Sequence, residues 1–245
     1  METSNPVFSE TVFGDWAREE TRVNTMTVQG TASKCFLLLA ILTAVAAYVW
    51  GLGQSGTDVT PWMFGGMIAG LVLALVTVFA MKWAAYTAPL YAAAQGAFLG
   101  GVSWWFNSMY EGIAFNAMAL TLAILLVMLS LYTSRIIPVT DKLRMGIVAA
   151  TGAIFLVYMV SFVLGFFGVS VPMIHDSGPI GIGFSLVVVG VAAFNLLLDF
   201  DFIERGARSG APKTMEWYGA FGLLVTLIWL YISLLRLLAQ LQGRD

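Results

Sequence analysis

Two aspartates stand where a long apolar run of the sequence ends. The run VVVGVAAFNLLL is followed at once by DFDFIERG. Residues two positions apart on a helix project about 200° away from each other, so Asp199 and Asp201 face different neighbours. Asp201 precedes Arg205 by four residues, and Glu204 precedes Arg208 by four, which is the favoured order for helical ion pairs. We therefore expect Asp201–Arg205 and Glu204–Arg208 to be structural ion pairs.

Asp199 has no basic residue one helical turn away. Ile203 follows it by four residues, and Asn195 precedes it by four, one turn deeper on the same face. An ionisable residue at membrane depth is a functional candidate by default. Desolvation favours its neutral form, which can donate a hydrogen bond, while its charged form attracts a hard cation such as Ca²⁺. The sequence thus predicts an inward polar stripe of Asn195 and Asp199, with Asp199 exchanging a proton near physiological pH and contacting Ca²⁺ transiently. The alternative is a helix-end acid that reaches water.

The composition is that of an integral membrane protein. The 245 residues are 59% hydrophobic and 11% charged, whereas about a quarter of an ordinary soluble domain is charged. So few charges cannot cover a water-facing surface, so the lipid bilayer is the expected main partner. The formal net charge of −2 excludes nucleic acid as a partner, because no basic patch meets phosphates. The single cysteine, Cys35, excludes an internal disulfide and a cysteine metal cluster.

Seven apolar runs are long enough to cross a bilayer, which takes about 20 helical residues. The sequence therefore predicts an all-α integral membrane protein, a seven-helix bundle that forms one domain over residues 35–241. A polar cytosolic tail, residues 1–34, precedes it and lacks the features of a cleavable signal. The predicted spans are residues 35–53, 62–81, 89–109, 113–132, 145–169, 179–199 and 217–239.

The distribution of Lys and Arg predicts the orientation of these spans. Arg236 and Arg244 would lie on one side of the membrane, and the other ten basic residues on the opposite side. The N-terminus is therefore expected in the cytosol and the C-terminus outside. DFDFIERG then lies at the cytosolic end of the sixth span. The ten residues are Arg18, Arg22, Lys34, Lys82, Arg135, Lys142, Arg144, Arg205, Arg208 and Lys213.

The residues needed for catalysis are missing from the sequence. The only histidine, His175, lies in an outer loop, and neither HExxH nor GxSxG occurs. An intramembrane aspartyl protease needs aspartates on separate helices, but Asp199 and Asp201 share one helix end. The last span has no mid-helix lysine for a Schiff base. We therefore expect a protein that is not an enzyme and has no cofactor.

Several segments resemble the bacterial Bax inhibitor-1-like branch of the Bax inhibitor motif family. They are NPVF, MTVQGTASK, LYTSRIIPVTDKLRMGIVAATGAI and the C-terminal third, which includes DFDFIERG and MEWYGAF. The resemblance implies seven helices with the last one central, and a pH-sensitive Ca²⁺ leak governed by aspartates on helices six and seven. The first matches Asp199, and Asp201 replaces a glutamine of that motif. The second falls near Val225 or Thr226, neither of which is acidic.

The missing second acid leaves several partners for Asp199 open. It pairs with Thr226, Asn195 or Glu216, or Asp201 supplies the second acid; Glu216 alternatively serves only to begin the last helix, where an acid suits the positive terminus. The leading hypothesis is a Ca²⁺ leak in a bacterial cytoplasmic membrane, with Asp199 as its pH gate. The rival is a non-conducting adaptor that modulates membrane-protein quality control or stress survival by binding membrane-protein partners through its tail.

Overall fold

The apolar runs fold into long helices joined by short connections. A computed structural model describes residues 25–167 and 178–243, and within these ranges the chain forms seven α-helices and an isolated backbone bridge. The predicted tail up to residue 24 and the His175 loop lie outside the described residues. The helices are α1 (Val28–Gln54), α2 (Thr60–Phe79), α3 (Ala84–Met109), α4 (Ile113–Thr133), α5 (Asp141–Phe166), α6 (Pro179–Arg208) and α7 (Met215–Gln242).

Local sequence signals account for several helix starts. The Thr27 hydroxyl accepts a hydrogen bond from Gly30 N at 2.9 Å and so caps α1. Thr140 caps α5 in the same way, through Leu143 N at 3.2 Å. Pro179 occupies the first position of α6, where its missing N–H costs nothing.

Two helices extend well beyond their predicted spans. α1 begins at Val28 rather than at residue 35, so its first turns belong to the segment assigned to the tail. α6 continues to Arg208 rather than ending at Asp199. Hydropathy detects only the part of a helix that lies in hydrocarbon, so the polar ends of both helices escaped it. The second difference matters most, because it makes the whole of DFDFIERG helical.

By length and composition, six of the described helices could cross a membrane: α1, α2, α4, α5, α6 and α7. The exception is α3, the third of the seven predicted spans. It is long enough, but it is not apolar enough; its sequence includes Gln95, several glycines and an internal Pro89. Apolar side chains that cover the outer faces of α2 and α5 are exposed, as contact with lipid requires.

The last helix lies at the centre of the bundle. α7 contacts α1, α3, α4 and α6, and it is more deeply buried than the other five candidate spans. Tyr231 and Ser103 share a hydrogen bond of 2.7 Å between α7 and α3, and the rings of Phe221 and Tyr91 meet 4.9 Å apart on the same interface. This agrees with the central last helix that the resemblance implies.

Glycines allow α3 to approach its neighbours closely. A Cβ atom on Gly96 would lie 2.5 Å from Leu42 O of α1, and one on Gly100 would lie 2.6 Å from Ala46 O. On the other side, a Cβ on Gly66 of α2 would lie 2.5 Å from Ala94 O. Small residues four positions apart let membrane helices pack backbone against backbone. These contacts fix the rotation of α1, and therefore which of its residues face α7.

We expect the Gly96→Ala substitution to destabilise the bundle by about 1–3 kcal/mol, because the new methyl group collides with a carbonyl oxygen that cannot rotate away. The matched control is Gly152→Ala on α5, where an added Cβ meets nothing within 4 Å. Thermal unfolding of the purified variants in detergent measures the difference. Equal melting temperatures for both variants would contradict this account of the α1–α3 contact.

Candidate functional site

The ionisable residues singled out in the sequence gather at one end of the bundle. At this end α1 and α7 begin and α6 ends, and we call it the basic end because Lys34, Arg144, Arg205 and Arg208 make their contacts there. Its carboxylates that are at least partly buried fall into two groups, those with basic partners and Asp199.

Asp199 lies on α6 between α1 and α7. The residue is only partly buried as a whole, but its Oδ2 atom is fully covered and has no hydrogen-bond partner among the described residues. The Thr226 hydroxyl of α7 is within hydrogen-bonding reach of the carboxylate, although the same hydroxyl also lies 3.3 Å from Gly222 O. The Cys35 thiol of α1 is close enough for a charge on Asp199 to act on it. Of the alternatives raised by the sequence, Thr226 is the neighbour of Asp199.

Asn195 faces a different helix. Its side-chain amide donates to Thr151 Oγ1 of α5 at 2.8 Å and to Val191 O at 2.9 Å. It therefore holds α6 against α5 rather than extending a stripe towards Asp199.

Asp201 is compensated from two sides. Arg205 donates to its Oδ2 from one turn further along α6, as the spacing predicts, and Arg144 Nη2 of α5 donates to the same atom at 2.8 Å. Its side chain is 15% exposed. Asp201 is thus engaged by two guanidinium groups and does not act as the second acid for Asp199.

Glu204 forms the other predicted helical pair. Arg208 donates to its Oε1, and the Tyr132 hydroxyl of α4 donates to its Oε2. Sequence reasoning found the two pairs within α6 but missed Arg144 and Tyr132. Both lie near an end of an apolar run, and their sequence spacing carries no information about a partner on another helix.

Glu216 is the most deeply buried carboxylate at the basic end, with 1% of its side chain exposed. Its Oε1 accepts hydrogen bonds of 2.9 Å from both the backbone N–H and the hydroxyl of Thr27, and its Oε2 accepts from Lys34 Nζ. The Lys34 ammonium also lies 5.5 Å from the centre of the Trp217 ring. The suggestion that Glu216 answers Asp199 is therefore wrong: Glu216 joins α7 to α1 instead.

The family can be assigned from the whole chain. Residues 5–243 match the family model described as Bax inhibitor 1 like. The chain belongs to the Bax inhibitor-1-like family. No curated protein and no solved structure gives a significant match. The family is one of membrane proteins and is not known for enzymatic activity.

Within this family member, the position of the expected second acid is taken by a hydroxyl. Thr226 faces inward and is buried, whereas Val225 beside it is exposed. No three His, Cys, Asp or Glu side chains converge in the part of the chain that the structure describes. A cation beside Asp199 would thus meet one carboxylate, one hydroxyl and a sulfur atom, whereas Ca²⁺ takes six to eight oxygen ligands. These groups supply fewer oxygen ligands than tight binding of Ca²⁺ requires.

We expect the Glu216→Ala substitution to destabilise the protein by about 3–5 kcal/mol, because it leaves a half-buried ammonium and the Thr27 N–H without their acceptor. Glu204→Ala serves as the matched control, since it too removes an acid bound to a basic residue and a hydroxyl, but from a more exposed position. Its cost should be much smaller. Thermal unfolding in detergent compares the two, and a Glu204 variant as unstable as the Glu216 variant would rule out the assigned role.

Proposed function

We propose that this protein is a cation leak of a bacterial cytoplasmic membrane, that it passes Ca²⁺, and that the protonation of Asp199 gates it. One observation carries the proposal. Asp201, Glu204 and Glu216 each have a basic partner, whereas Asp199 has a covered oxygen atom without any partner among the described residues. A carboxylate without compensation in an apolar interior is costly, and it persists where its change of charge has a use.

The proposed gate works through hydration of one carboxyl group. When protonated, Asp199 donates a hydrogen bond, for which the Thr226 hydroxyl on α7 is an acceptor within reach, and α6 stays packed on α7. When charged, it accepts a hydrogen bond from at most this one hydroxyl, which does not compensate the charge; further solvation by water or a cation requires the helices to separate. Cys35 is the other titratable group close to it, and the nearest charged clusters, around Asp201 and Glu216, are already neutralised by basic partners.

The remaining site residues hold α6 and α7 against the neighbouring helices and so keep the proposed gate closed. Asn195 fastens α6 to α5, Asp201 fastens the end of α6 to Arg144, and Glu216 fastens α7 to α1. We further propose that all seven helices cross the membrane, with α3 shielded by α1, α2 and α7, and that the basic end faces the cytosol. The N-terminus is then cytosolic and the C-terminus outside, in accordance with the positive-inside rule.

A different observation favours the rival hypothesis of a non-conducting adaptor. Asp201, Glu204 and Glu216 are neutralised by contacts within the chain, and the residue at the second-acid position is Thr226. A protein of this design can keep its bundle closed and act through partners alone. Conduction by the purified protein separates the two readings.

The test of the leak is Ca²⁺ efflux from liposomes that hold the purified protein, measured from pH 5 to pH 8. We expect efflux above that of empty liposomes, with a pH dependence that the Asp199→Asn variant loses because an amide stays neutral. Asp58→Asn is the matched control, since it removes a carboxylate from the exposed loop between α1 and α2. Equal flux and equal pH response in the wild type and in Asp199→Asn would refute the gate. No flux above empty liposomes would refute the leak and leave the adaptor.

A further inference from the structure

The three residues before α1 lie across the ends of the two last helices. Thr25 and Pro212 form an isolated antiparallel bridge, and Met26 N donates to Ala211 O at 2.7 Å. The segment Thr25–Thr27, which we call the strap, is thus attached to the loop between α6 and α7.

The side chain of Met26 fills a gap between α6 and α7. It is 2% exposed, although it lies outside any helix. A Cβ atom on Gly206 of α6 would lie 2.8 Å from Met26 Sδ, and one on Gly219 of α7 would lie 3.4 Å from Met26 Cε. Two glycines on facing helices therefore provide the space that the methionine occupies. Methionine suits such a gap because its chain is flexible and unbranched.

The gap lies directly below Asp199. On α6, Asp199, Ile203 and Gly206 follow one another by four and three residues and so share a face. On α7, Thr226 and Gly219 are seven residues apart and also share a face. These two faces and the inner face of α1 meet at one level, because a Cβ on Gly219 would lie 3.2 Å from Ile203 Cγ1 and 3.3 Å from Thr31 Cγ2.

The first helix continues the same arrangement. Thr31 and Cys35 lie one turn apart on α1, and both are buried. Cys35 is at the depth of Asp199, and Thr31 is at the depth of Ile203. The junction of α1, α6 and α7 thus leads from the basic end to Asp199, and among the described residues it is filled first by Met26 and then by Ile203 and Thr31.

Polar contacts hold the strap at its two ends, and the buried Met26 side chain holds its middle. Thr25 and Met26 bind the loop after α6, and Thr27 binds Glu216 through its N–H and its hydroxyl. Thr25 and Met26 lie outside any helix, so these two residues can leave their place while Thr27 still caps α1. The buried Glu216 keeps it in register at the start of α1.

We propose that the strap is a plug: Met26 closes the basic-end entrance to Asp199, and release of the strap opens that entrance. The inference rests on the proposed function for its role in conduction. The closure itself is independent of conduction, because it concerns the access of water-borne solutes to the junction of α1, α6 and α7.

The single cysteine reports directly on the plug. Cys35 is 7% exposed and lies beyond Met26 at the depth of Asp199. We expect a cationic, membrane-impermeant methanethiosulfonate reagent to label Cys35 in the Met26→Ala protein several-fold faster than in the wild type, in lipid nanodiscs. The matched control is Met128→Ala, which truncates a methionine of α4 that is 7% exposed and buried in the same core.

Two labelling results would overturn the plug. In one, Met26→Ala and the wild type react at the same rate. In the other, Met128→Ala accelerates labelling as much as Met26→Ala does, which would mean that any lost core methionine loosens the bundle. Labelling that rises only in Met26→Ala supports the plug.

Flux then tests whether the plug controls conduction. We expect Met26→Ala to raise Ca²⁺ efflux from liposomes several-fold. With the buried Cys35 left in place, the pair Thr25→Cys and Pro212→Cys should form a disulfide, because antiparallel bridge partners lie within its reach. Oxidation should lower efflux relative to the reduced protein. Faster labelling with no efflux in any variant would leave the plug standing and refute the leak. If neither Met26→Ala nor the disulfide between positions 25 and 212 changes efflux, the strap does not control conduction.

Discussion

The buried carboxylate of Glu216 is the interaction on which the basic end of the bundle depends. With 1% of its side chain exposed, it needs full compensation, and it obtains it from the Thr27 N–H and hydroxyl and the Lys34 ammonium. These donors come from the start of α1, so the first and last helices are bound together where both begin. A Cβ atom on Gly30 would lie 2.2 Å from Glu216 Oε1, which explains a glycine in the first turn of α1. The contact between the start of α1 and the start of α7, and with it the position of the strap, depends on this one charge.

The other carboxylates of the basic end differ in how far neighbouring groups compensate their charge. Asp201 and Glu204 lie near the ends of α5 and α4, where Arg144 and Tyr132 can reach them in addition to the arginines of α6. Asp199 lies deeper, and the nearest groups from α7 and α1 are a hydroxyl and a thiol, neither of which carries a compensating charge. Because charge costs most where compensation is least, the proposed gate rests on Asp199 rather than on Asp201 or Glu204.

The sequence predicts the contacts that lie within one helix and fails for those between helices. Asp201–Arg205 and Glu204–Arg208 follow from a spacing of four, because the helix alone determines which residues meet. Asn195–Thr151, Arg144–Asp201 and Glu216–Lys34 depend on the rotation of each helix against its neighbour. That rotation is set by close contacts such as Gly96 on Leu42 O, which no pattern in a single sequence reveals.

Hydropathy likewise found the positions of the helices but not all their properties. It missed the polar first turns of α1 and last turns of α6, since these lie beyond the apolar runs. It also predicted α3 as a span like the others, although the alanines and glycines of α3 pack against other helices rather than lipid. The sequence did not predict the strap, because a methionine between two threonines does not by itself indicate a buried side chain. Its signal lies in Gly206 and Gly219, which have meaning only once α6 and α7 are seen to face each other.

The hydroxyl of Thr226 changes how a gate at Asp199 can work. Where two carboxyl groups face each other, loss of a proton creates like charges that repel, and this repulsion itself pushes the helices apart. Facing a hydroxyl, an ionised Asp199 meets no repulsion, and the cost of its charge is a lack of solvation alone. Water must then reach the carboxylate before ionisation can stabilise an open bundle. In the proposed mechanism, Met26 separates the basic end from Asp199, so water reaches Asp199 only after the strap is released. The strap would then control opening, in place of the acid that α7 lacks.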